Sequence, residues 1–291
     1  MTSGSWPYLT RRSRDYPPLL AAIHDPPRRL YLRGKGSIEM LSRPAVAIVG
    51  TRSCSAYGAQ VARRLGRELA AAGATVISGL ARGVDAEAHR GALEAGGPTV
   101  AVLGCGIDRD YPRTHAALAR RVAEVGLLVS EYEPGTEPAP WRFPARNRII
   151  AGLAGVTVIV EARAKSGALI TADFALEDGR EVFAVPGEIT SALSRGTNEL
   201  LRLGAAPVLE PGDVLAALGL EEAPARRSQQ LSNRAIRLRE LLADRSASVD
   251  ELVARSSLAA DAVAAALVEL ELAGEAVCAE GVYRMQDASR R

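Results

Sequence analysis

The stretch Ala45-Val46-Ala47-Ile48-Val49, followed by Gly50-Thr51-Arg52, decides the fold of this chain. Its five apolar residues do not alternate with polar ones, which is typical of a strand covered by helices on both faces of a parallel sheet. The glycine and the polar residues after it mark a turn at the carboxyl end of the strand. We therefore predict that residues 45–49 form the first strand of a parallel sheet.

Similar β-branched runs recur along the chain, each followed by a glycine or serine turn and a longer amphipathic stretch. This rhythm is typical of βαβ units. The strands predicted from it span residues 45–49, 75–78, 99–103, 127–130, 156–160, 181–185 and, with the weakest pattern, 206–209. The predicted fold class is therefore α/β, with a doubly wound and mostly parallel sheet.

The composition divides the chain into four parts. Residues 1–44 form a short proline-containing lead-in, helical or extended, and residues 45–220 form the sheet domain. Residues 221–233 are polar without an apolar period, as in a linker. Residues 234–291 show three helical patterns, at 234–243, 249–254 and 259–272, and then a strand pair around Gly281. That order predicts a small winged-helix-like domain.

Charge and cysteine content narrow the function classes. The chain has 36 basic and 34 acidic residues, so a nucleic acid would have to meet a local positive patch. Its three widely spaced cysteines predict free thiols rather than disulfides or a metal site. The polar, arginine-containing residues 1–14 resemble neither a secretory signal nor a membrane anchor. We expect a cytoplasmic protein without a membrane partner.

The segment Trp141-Arg142-Phe143-Pro144-Ala145-Arg146-Asn147-Arg148 concentrates two large rings and three guanidinium groups, in a chain that is 4% aromatic. Rings stack on bases and arginines hold phosphates, so the segment is typical of a protein that grips single-stranded nucleic acid. The alternative is that the rings anchor the core while the arginines are solvated or paired with acids. The segment alone leaves both interpretations open.

Ligands of an open parallel sheet bind at the carboxyl ends of its strands, where helix N-termini present free N–H groups. The loop Gly50-Thr51-Arg52 lacks the three-glycine dinucleotide fingerprint but suits a phosphate; the alternative is a serine helix cap beside an exposed arginine. The loop at 78–85 follows the next strand. There we interpret Asp85 and His89, one helical turn apart, as a pair that holds the turn rather than as a metal site.

Two further loops complete the predicted edge. The small residues Gly104 and Gly106 let a ligand approach the backbone closely, and Cys105 between them has no neighbouring histidine to activate it. Lys165-Ser166-Gly167 precedes a helix and forms an anion site. Several anion sites along one sheet edge suit a polyanion better than a single phosphate.

These loops and the aromatic segment give the predicted contacts of a single nucleic-acid strand. The residues are Thr51, Arg52, Ser78, Gly79, Arg82, Gly104, Gly106, Arg142, Phe143, Arg146, Asn147, Arg148, Lys165, Ser166, Gly167 and Thr171. No catalytic residue, metal ion or cofactor is predicted.

Taken together, several motifs resemble the DprA family, also called Smf, of DNA-processing proteins. They are Val46-Ala-Ile-Val-Gly-Thr-Arg52, Ser78-Gly-Leu-Ala-Arg-Gly-Val-Asp85, Phe143-Pro-Ala-Arg-Asn-Arg-Ile-Ile150, Ser166-Gly-Ala-Leu-Ile-Thr-Ala172, Gly179-Arg-Glu-Val-Phe-Ala-Val-Pro-Gly187 and Gly196-Thr-Asn198. Each motif is weak alone, but their common order from about residue 16 to residue 220 is highly specific.

The resemblance implies an extended Rossmann-like domain that binds and protects incoming single-stranded DNA, forms homodimers and helps load the RecA recombinase during natural transformation. It implies no enzymatic reaction. It also implies a strand-binding pocket formed by Arg52, by Phe143, Arg146 and Asn147, and by Lys165, Ser166 and Gly167. The chain departs from the family at His115, where members often carry asparagine.

The small domain resembles the winged helix of some members. Its third predicted helix carries Asp261, Glu269 and Glu271 and no basic residue. Phosphates would repel such a helix from a major groove. We therefore expect a regulatory or partner-binding module rather than a reader of duplex DNA.

Two other functions are considered. A nucleoside-monophosphate phosphoribohydrolase on a similar sheet would need a carboxylate at the glycosidic bond. Glu161 and Glu188 are the candidates, and neither lies in the sequence pattern of such hydrolases. A protein that only scaffolds RecA would not bind a DNA strand at all.

Overall fold

The computed structural model describes residues 6–221, 232–272, 275–279 and 281–285. The chain divides into two compact units, with the boundary between residues 223 and 224. The predicted linker, 221–233, lies almost wholly outside the described residues.

In the described part of the first unit, nine strands form one sheet. They are β1 (Tyr8–Thr10), β2 (Arg29–Arg33), β3 (Ala45–Val49), β4 (Thr75–Ser78), β5 (Thr99–Val102), β6 (Leu127–Ser130), β7 (Val156–Ile159), β8 (Glu181–Ala184) and β9 (Ala206–Pro207). Their order is β1-β2-β6-β5-β4-β3-β7-β8-β9. In this spatial order, each strand from β6 through to β9 pairs in parallel with its neighbour, as the apolar runs predict.

Helices cover both faces of this sheet. They are α1 (Pro18–Ala21), α2 (Ala56–Ala71), α3 (Val84–Glu94), α4 (Ala116–Val125), α5 (Arg142–Leu153), α6 (Gly167–Glu177), α7 (Arg195–Arg202) and α8 (Pro211–Ala217). All five residues of β3 are buried. Ala47 packs into a core with Ile149 of α5, and its neighbour Ile48 into a core with Leu65 of α2. The doubly wound architecture is confirmed.

The strand order reverses between β3 and β7. From β3 the chain adds β4, β5 and β6 on one side, and then returns to place β7 on the other side of β3. At such a point the loops after the two neighbouring strands diverge and leave a crevice at their carboxyl ends. The loops after Val49 and Ile159 are therefore the expected walls of a binding site.

The lead-in contributes two strands to the same sheet. β2 pairs antiparallel with β6, and β1 pairs antiparallel with β2. Leu9 and Leu30 are buried, so this segment belongs to the core of the first unit. The strands β5, β7 and β8 end one residue earlier than the sequence predicts. The next residues, Leu103, Val160 and Val185, are buried but lie outside the strands.

The second unit contains α9 (Asn233–Asp244), β10 (Ala247–Ser248), α10 (Val249–Ser256), α11 (Ala260–Leu272), β11 (Ala276–Ala279) and β12 (Val282–Met285). Its strands form an antiparallel sheet in the order β10-β12-β11. Leu238, Leu252 and Leu267 bring the three helices into one small core. Three helices and a strand hairpin are the elements of a winged helix.

Within the described residues, none of the helices combines the length and the apolar character needed to cross a membrane.

Candidate nucleic-acid interface

Two adjoining cavities lie at the carboxyl edge of the sheet, next to the reversal of strand order. The larger has a volume of about 390 Å³, and the smaller of about 110 Å³. Arg52, Ala81, Phe143 and Arg146 line both. The larger is completed by Val49, Gly50, Asp85, Pro144, Asn147, Ile150, Ser166, Gly167, Ala168 and Thr171. The smaller is completed by Gly79, Arg82, Leu103, Gly104, Tyr111 and Pro112.

Phe143 lies at the start of α5, between the two cavities. Its ring is stacked on that of Tyr111, with ring centroids 5.4 Å apart and planes inclined by 22°. The guanidinium carbon of Arg52 lies 5.4 Å from the centroid of the Phe143 ring. Gly104 leaves room for the ring, because a Cβ at that position would lie 2.8 Å from Phe143 Cδ1. Phe143 is half-buried within the site rather than part of the main core.

Trp141 precedes this helix and is 63% exposed. Its ring meets that of Tyr132 edge to face, and the guanidinium carbon of Arg142 lies 4.8 Å from the Trp141 ring centroid. The two rings of the aromatic segment therefore belong to different local clusters. The interpretation of Trp141 as a core anchor does not hold.

Arg146 is buried beneath the cavities and joins two strand ends. Its Nη1 donates to the carbonyl oxygen of Gly79 at 2.8 Å and also to that of Val102. Burial lowers the pKa of this guanidinium to about 10. Nearby, the buried Asp85 carboxylate accepts a hydrogen bond from the Gly79 amide at 3.2 Å. Burial raises the pKa of Asp85, and the positive charge of Arg146 opposes that rise.

The loop that carries Arg52 is fixed by Glu161, the residue that follows β7 and Val160. The Glu161 carbonyl accepts a hydrogen bond from the Thr51 amide at 2.8 Å. Its carboxylate accepts from the Ser55 amide at 2.9 Å and from the Ser55 hydroxyl at 2.6 Å. Ser55 in turn caps α2 by accepting from the Gly58 amide at 3.0 Å. Arg52 itself is exposed and has no carboxylate within 4 Å among the described residues.

The N-terminus of α6 forms another part of the lining of the larger cavity. Ser166 caps this helix by accepting a hydrogen bond from the Ala168 amide at 3.3 Å. Asn147 Nδ2 donates to the Gly167 carbonyl at 3.1 Å and so joins α5 to the same turn. Free N–H groups at the start of a helix favour a bound anion. This part of the lining can therefore accept a phosphate in a cavity that Arg52 also lines.

Ten of the sixteen residues predicted to contact the strand line the cavities. They are Arg52, Gly79, Arg82, Gly104, Phe143, Arg146, Asn147, Ser166, Gly167 and Thr171. The other six lie outside the two linings: Thr51, Ser78, Gly106, Arg142, Arg148 and Lys165. Lys165 is exposed and lines a neighbouring depression instead.

Physical reasons account for several of these positions. Ser78 is fully buried and its hydroxyl donates to the Ile48 carbonyl at 2.6 Å, so it cannot reach a ligand. Arg148 makes two hydrogen bonds to the Glu131 carboxylate, at 2.6 and 3.1 Å, and one to Asp25 at 3.1 Å. The charge of Arg148 is therefore neutralised by carboxylates of the protein itself. Arg142 donates to the Glu137 carbonyl and lies against Trp141.

His89 contacts Thr99 rather than Asp85, so the i,i+4 pair predicted from the sequence does not form. His89 Nδ1 lies 2.8 Å from Thr99 Oγ1, and the ring is fully buried. Burial lowers its pKa to about 3, so the imidazole is neutral in the fold.

Burial also raises the pKa of the Cys105 thiol to about 11. That makes Cys105 a poor nucleophile, because the thiolate is the reactive form.

Sequence reasoning missed Tyr111, which lines the smaller cavity and is 41% exposed. The only available signal was an aromatic residue shortly after a loop of small residues. His115, four residues further on, places Nδ1 3.0 Å from the Leu80 carbonyl oxygen and ties this loop to the one after β4.

The model of the DNA recombination-mediator protein A family matches residues 7–219, and that of the DprA winged-helix domain matches residues 222–281. The chain belongs to the DprA/Smf family. The DprA protein of Streptococcus pneumoniae is 44% identical over 205 residues, covering 69% of this chain and 70% of that protein. Protein Smf of Escherichia coli is 41% identical over 282 residues, covering 93% and 75%.

Solved DprA structures share the fold. The X-ray structure of S. pneumoniae DprA matches with a TM-score of 0.69 and 41% identity, covering 72% of this chain and 74% of that one. The Helicobacter pylori DprA structure, described as showing a single-stranded DNA binding mode, matches with a TM-score of 0.65 and 34% identity. It covers 73% of this chain and 96% of the H. pylori chain. Membership of the family favours a DNA-processing recombination mediator over a phosphoribohydrolase.

Proposed function

We propose that the two cavities bind single-stranded DNA, and that the chain is a recombination mediator without enzymatic activity of its own. The position of Arg52 carries this proposal. Its guanidinium lines both cavities, lies against the Phe143 ring and has no carboxylate partner among the described residues. An unneutralised cation beside an aromatic ring is what a phosphate and its base require.

The charge on the cavity walls suits a polymer of phosphates. Arg52 and Arg82 are exposed at the rim, and the N-terminus of α6 faces the larger cavity. Two cations can neutralise two successive phosphates of one strand. A nucleoside monophosphate carries only one phosphate and would leave the second cation unused. The DNA-binding mode described for the H. pylori protein supports the same assignment.

The carboxylates do not support hydrolysis of a nucleotide. Glu161 is 4% exposed, and both of its carboxylate oxygens accept hydrogen bonds from Ser55. Glu188 is exposed but lines neither cavity. Asp85 is the only carboxylate in the two linings, and it is buried beside Arg146. We therefore assign no catalytic residue.

Family membership extends the proposal to partners and location. We propose that the chain forms homodimers and helps load RecA onto incoming strands in the cytoplasm, during natural transformation. Exposed leucines support self-association, since Leu203 is 73% and Leu209 75% exposed. The dimer is tested by measuring the molar mass of the unmodified protein and of the Leu203→Glu variant by light scattering. RecA filament assembly on strands coated with single-strand-binding protein tests the loading.

The second unit is proposed to bind a partner protein rather than duplex DNA. Helix α11 carries Asp261, Glu269 and Glu271 and no basic residue between Ala260 and Leu272. A negative helix is repelled by the phosphates that flank a DNA groove. Binding of duplex DNA by the unmodified protein would contradict this assignment.

A gel-shift comparison of single and double strands tests the main proposal. The intact protein should retain oligo-dT and release duplex of equal length. The double variant Arg52→Glu with Lys165→Glu should lose oligo-dT binding while its thermal unfolding stays unchanged. Unchanged capture of oligo-dT by this folded variant would end the proposal. Release of free base from a nucleotide would instead favour the hydrolase.

A further inference from the structure

The Phe143 ring already has two partners in the protein. Tyr111 is stacked on it at 5.4 Å, and the Arg52 guanidinium carbon lies 5.4 Å from its centroid. A base that stacks on Phe143 must share or replace one of these contacts. The Tyr111 ring, in contrast, is 41% exposed and lines the smaller cavity.

The position of Tyr111 is fixed from both sides of its loop. Just before it, Asp110 forms an ion pair with Arg33 of β2. Just after it, His115 is joined to the Leu80 carbonyl oxygen at 3.0 Å. The fold therefore presents the ring at the cavity, so little conformational entropy is lost when a base binds it.

The smaller cavity combines this ring with positive charge. Tyr111, Arg52 and Arg82 all line it. Arg82 is exposed, and no carboxylate of the described residues lies within 4 Å of it. Base stacking on aromatic rings, together with cations that follow the backbone, is how proteins bind single strands without reading their sequence.

We propose that the smaller cavity is a second nucleotide subsite, in which Tyr111 stacks on a base and Arg82 holds the adjoining phosphate. This inference rests on the proposed function, because the strand must also occupy the larger cavity. Phe143 then separates two successive nucleotides of one strand. Tyr111 is a binding residue in its own right rather than only a support for Phe143.

The first test is fluorescence anisotropy with labelled oligo-dT. A base–aromatic stack contributes about 1–3 kcal/mol, so Tyr111→Ala should weaken binding by about 5- to 150-fold. Tyr111→Phe keeps the ring and should bind like the unmodified protein. Binding by Tyr111→Ala equal to that of the unmodified protein would overturn the inference.

Tyr8 provides a matched control. It is 45% exposed, its ring centroid lies 5.5 Å from that of Tyr31, and the guanidinium carbon of Arg29 lies 5.4 Å from its ring. It lines neither cavity. Tyr8→Ala should therefore leave oligo-dT binding unchanged. An equal loss in both variants would show that surface tyrosines act nonspecifically, and would also overturn the inference.

The second test uses the unmodified protein and does not depend on the folding of a variant. Oligonucleotides containing 5-iodouracil are cross-linked by light, and the attached peptide is identified by mass spectrometry. Attachment at Tyr111 supports the subsite, and attachment only at residues of the larger cavity overturns it.

The variant Arg52→Glu separates failure of the subsite from failure of the proposed function. If it weakens binding while Tyr111→Ala does not, only the subsite fails. If neither weakens binding, the proposed function fails as well.

Discussion

Arg146 Nη1 donates a 2.8 Å hydrogen bond to the carbonyl oxygen of Gly79, the residue that follows β4. The same nitrogen reaches Val102 at the end of β5, so one buried guanidinium joins two neighbouring strand ends. The exposed Arg52, in contrast, makes no such bond to any residue that the structure describes. Arginines that line the same cavities therefore differ: Arg146 is held by hydrogen bonds within the protein, whereas Arg52 is exposed, as the proposed contact with a ligand requires.

Arg146→Ala should lower the free energy of unfolding by about 3–5 kcal/mol, because Asp85 would remain buried without the compensating charge. Denaturant unfolding measures this. Arg52→Ala is the matched control, since removal of an exposed side chain changes stability by less than about 0.5 kcal/mol. Equal stability of the two variants would contradict the buried, structural role of Arg146.

Gly79→Ala should lower stability by about 1–3 kcal/mol and weaken strand binding, because the site is overpacked. A Cβ there would overlap Arg146 Nη2 and would lie 2.7 Å from Asp85 Oδ2. Gly167→Ala is the control within the same site, since a Cβ at that position meets nothing within 4 Å. Denaturant unfolding and anisotropy check both variants. A Gly79→Ala protein as stable as Gly167→Ala would show that Arg146 can move aside at no cost.

Arg52→Gln should reduce the salt dependence of oligo-dT binding. Each phosphate neutralised on a single strand contributes about 0.7 to the slope of log K against log salt concentration. Loss of one cation should therefore lower that slope by about 0.7, as measured by anisotropy titrations across a range of salt concentrations.

Arg148→Gln provides the contrast on helix α5. It removes the hydrogen bonds to Glu131, so stability should fall by about 1–3 kcal/mol while the salt slope is retained. A drop in slope as large as that of Arg52→Gln would mean that Arg148 leaves its ion pair to meet DNA.

Acid should destabilise the first unit through His89. Its pKa is about 3 in the fold and about 6.5 in the unfolded chain, so between these values the unfolded state binds more protons. Stability is therefore lost as the pH falls below about 6.5, by up to about 1.4 kcal/mol per pH unit. Thermal unfolding from pH 7 to pH 4 measures this. His89→Gln should flatten the acid limb, whereas His24→Gln, at an exposed site, should retain it.

Much of the fold could be predicted because its signal is local. The mainly apolar runs 45–49, 75–78 and 127–130 coincide with β3, β4 and β6, since a strand buried on both faces consists mostly of apolar residues. β1 and β2 could not be predicted in this way. They are antiparallel strands in a proline-containing segment: β1 lies at the sheet edge and pairs with β2, and β2 pairs with β6, which lies about a hundred residues away.

The site could be predicted only in part. The rule for parallel sheets correctly indicates which loops meet at one edge. The rule does not show which arginines are already paired with a carboxylate. The partners of Arg148, for example, are Glu131 and Asp25, which lie in other parts of the chain. Tyr111 could not be predicted as a site residue for the same reason, since its stacking on Phe143 depends on the packing of two segments that are distant in the sequence.

The walls of the larger cavity come from segments more than a hundred residues apart, at 50–52 and 166–171, on either side of the strand-order reversal. No fragment holding one wall alone can reproduce the cavity, so a ligand of this cavity stabilises the folded chain. By mass action, oligo-dT at a hundred times its dissociation constant should add about 2.7 kcal/mol to the unfolding free energy. The incoming strand would thus protect the protein against heat and proteases while the protein protects the strand.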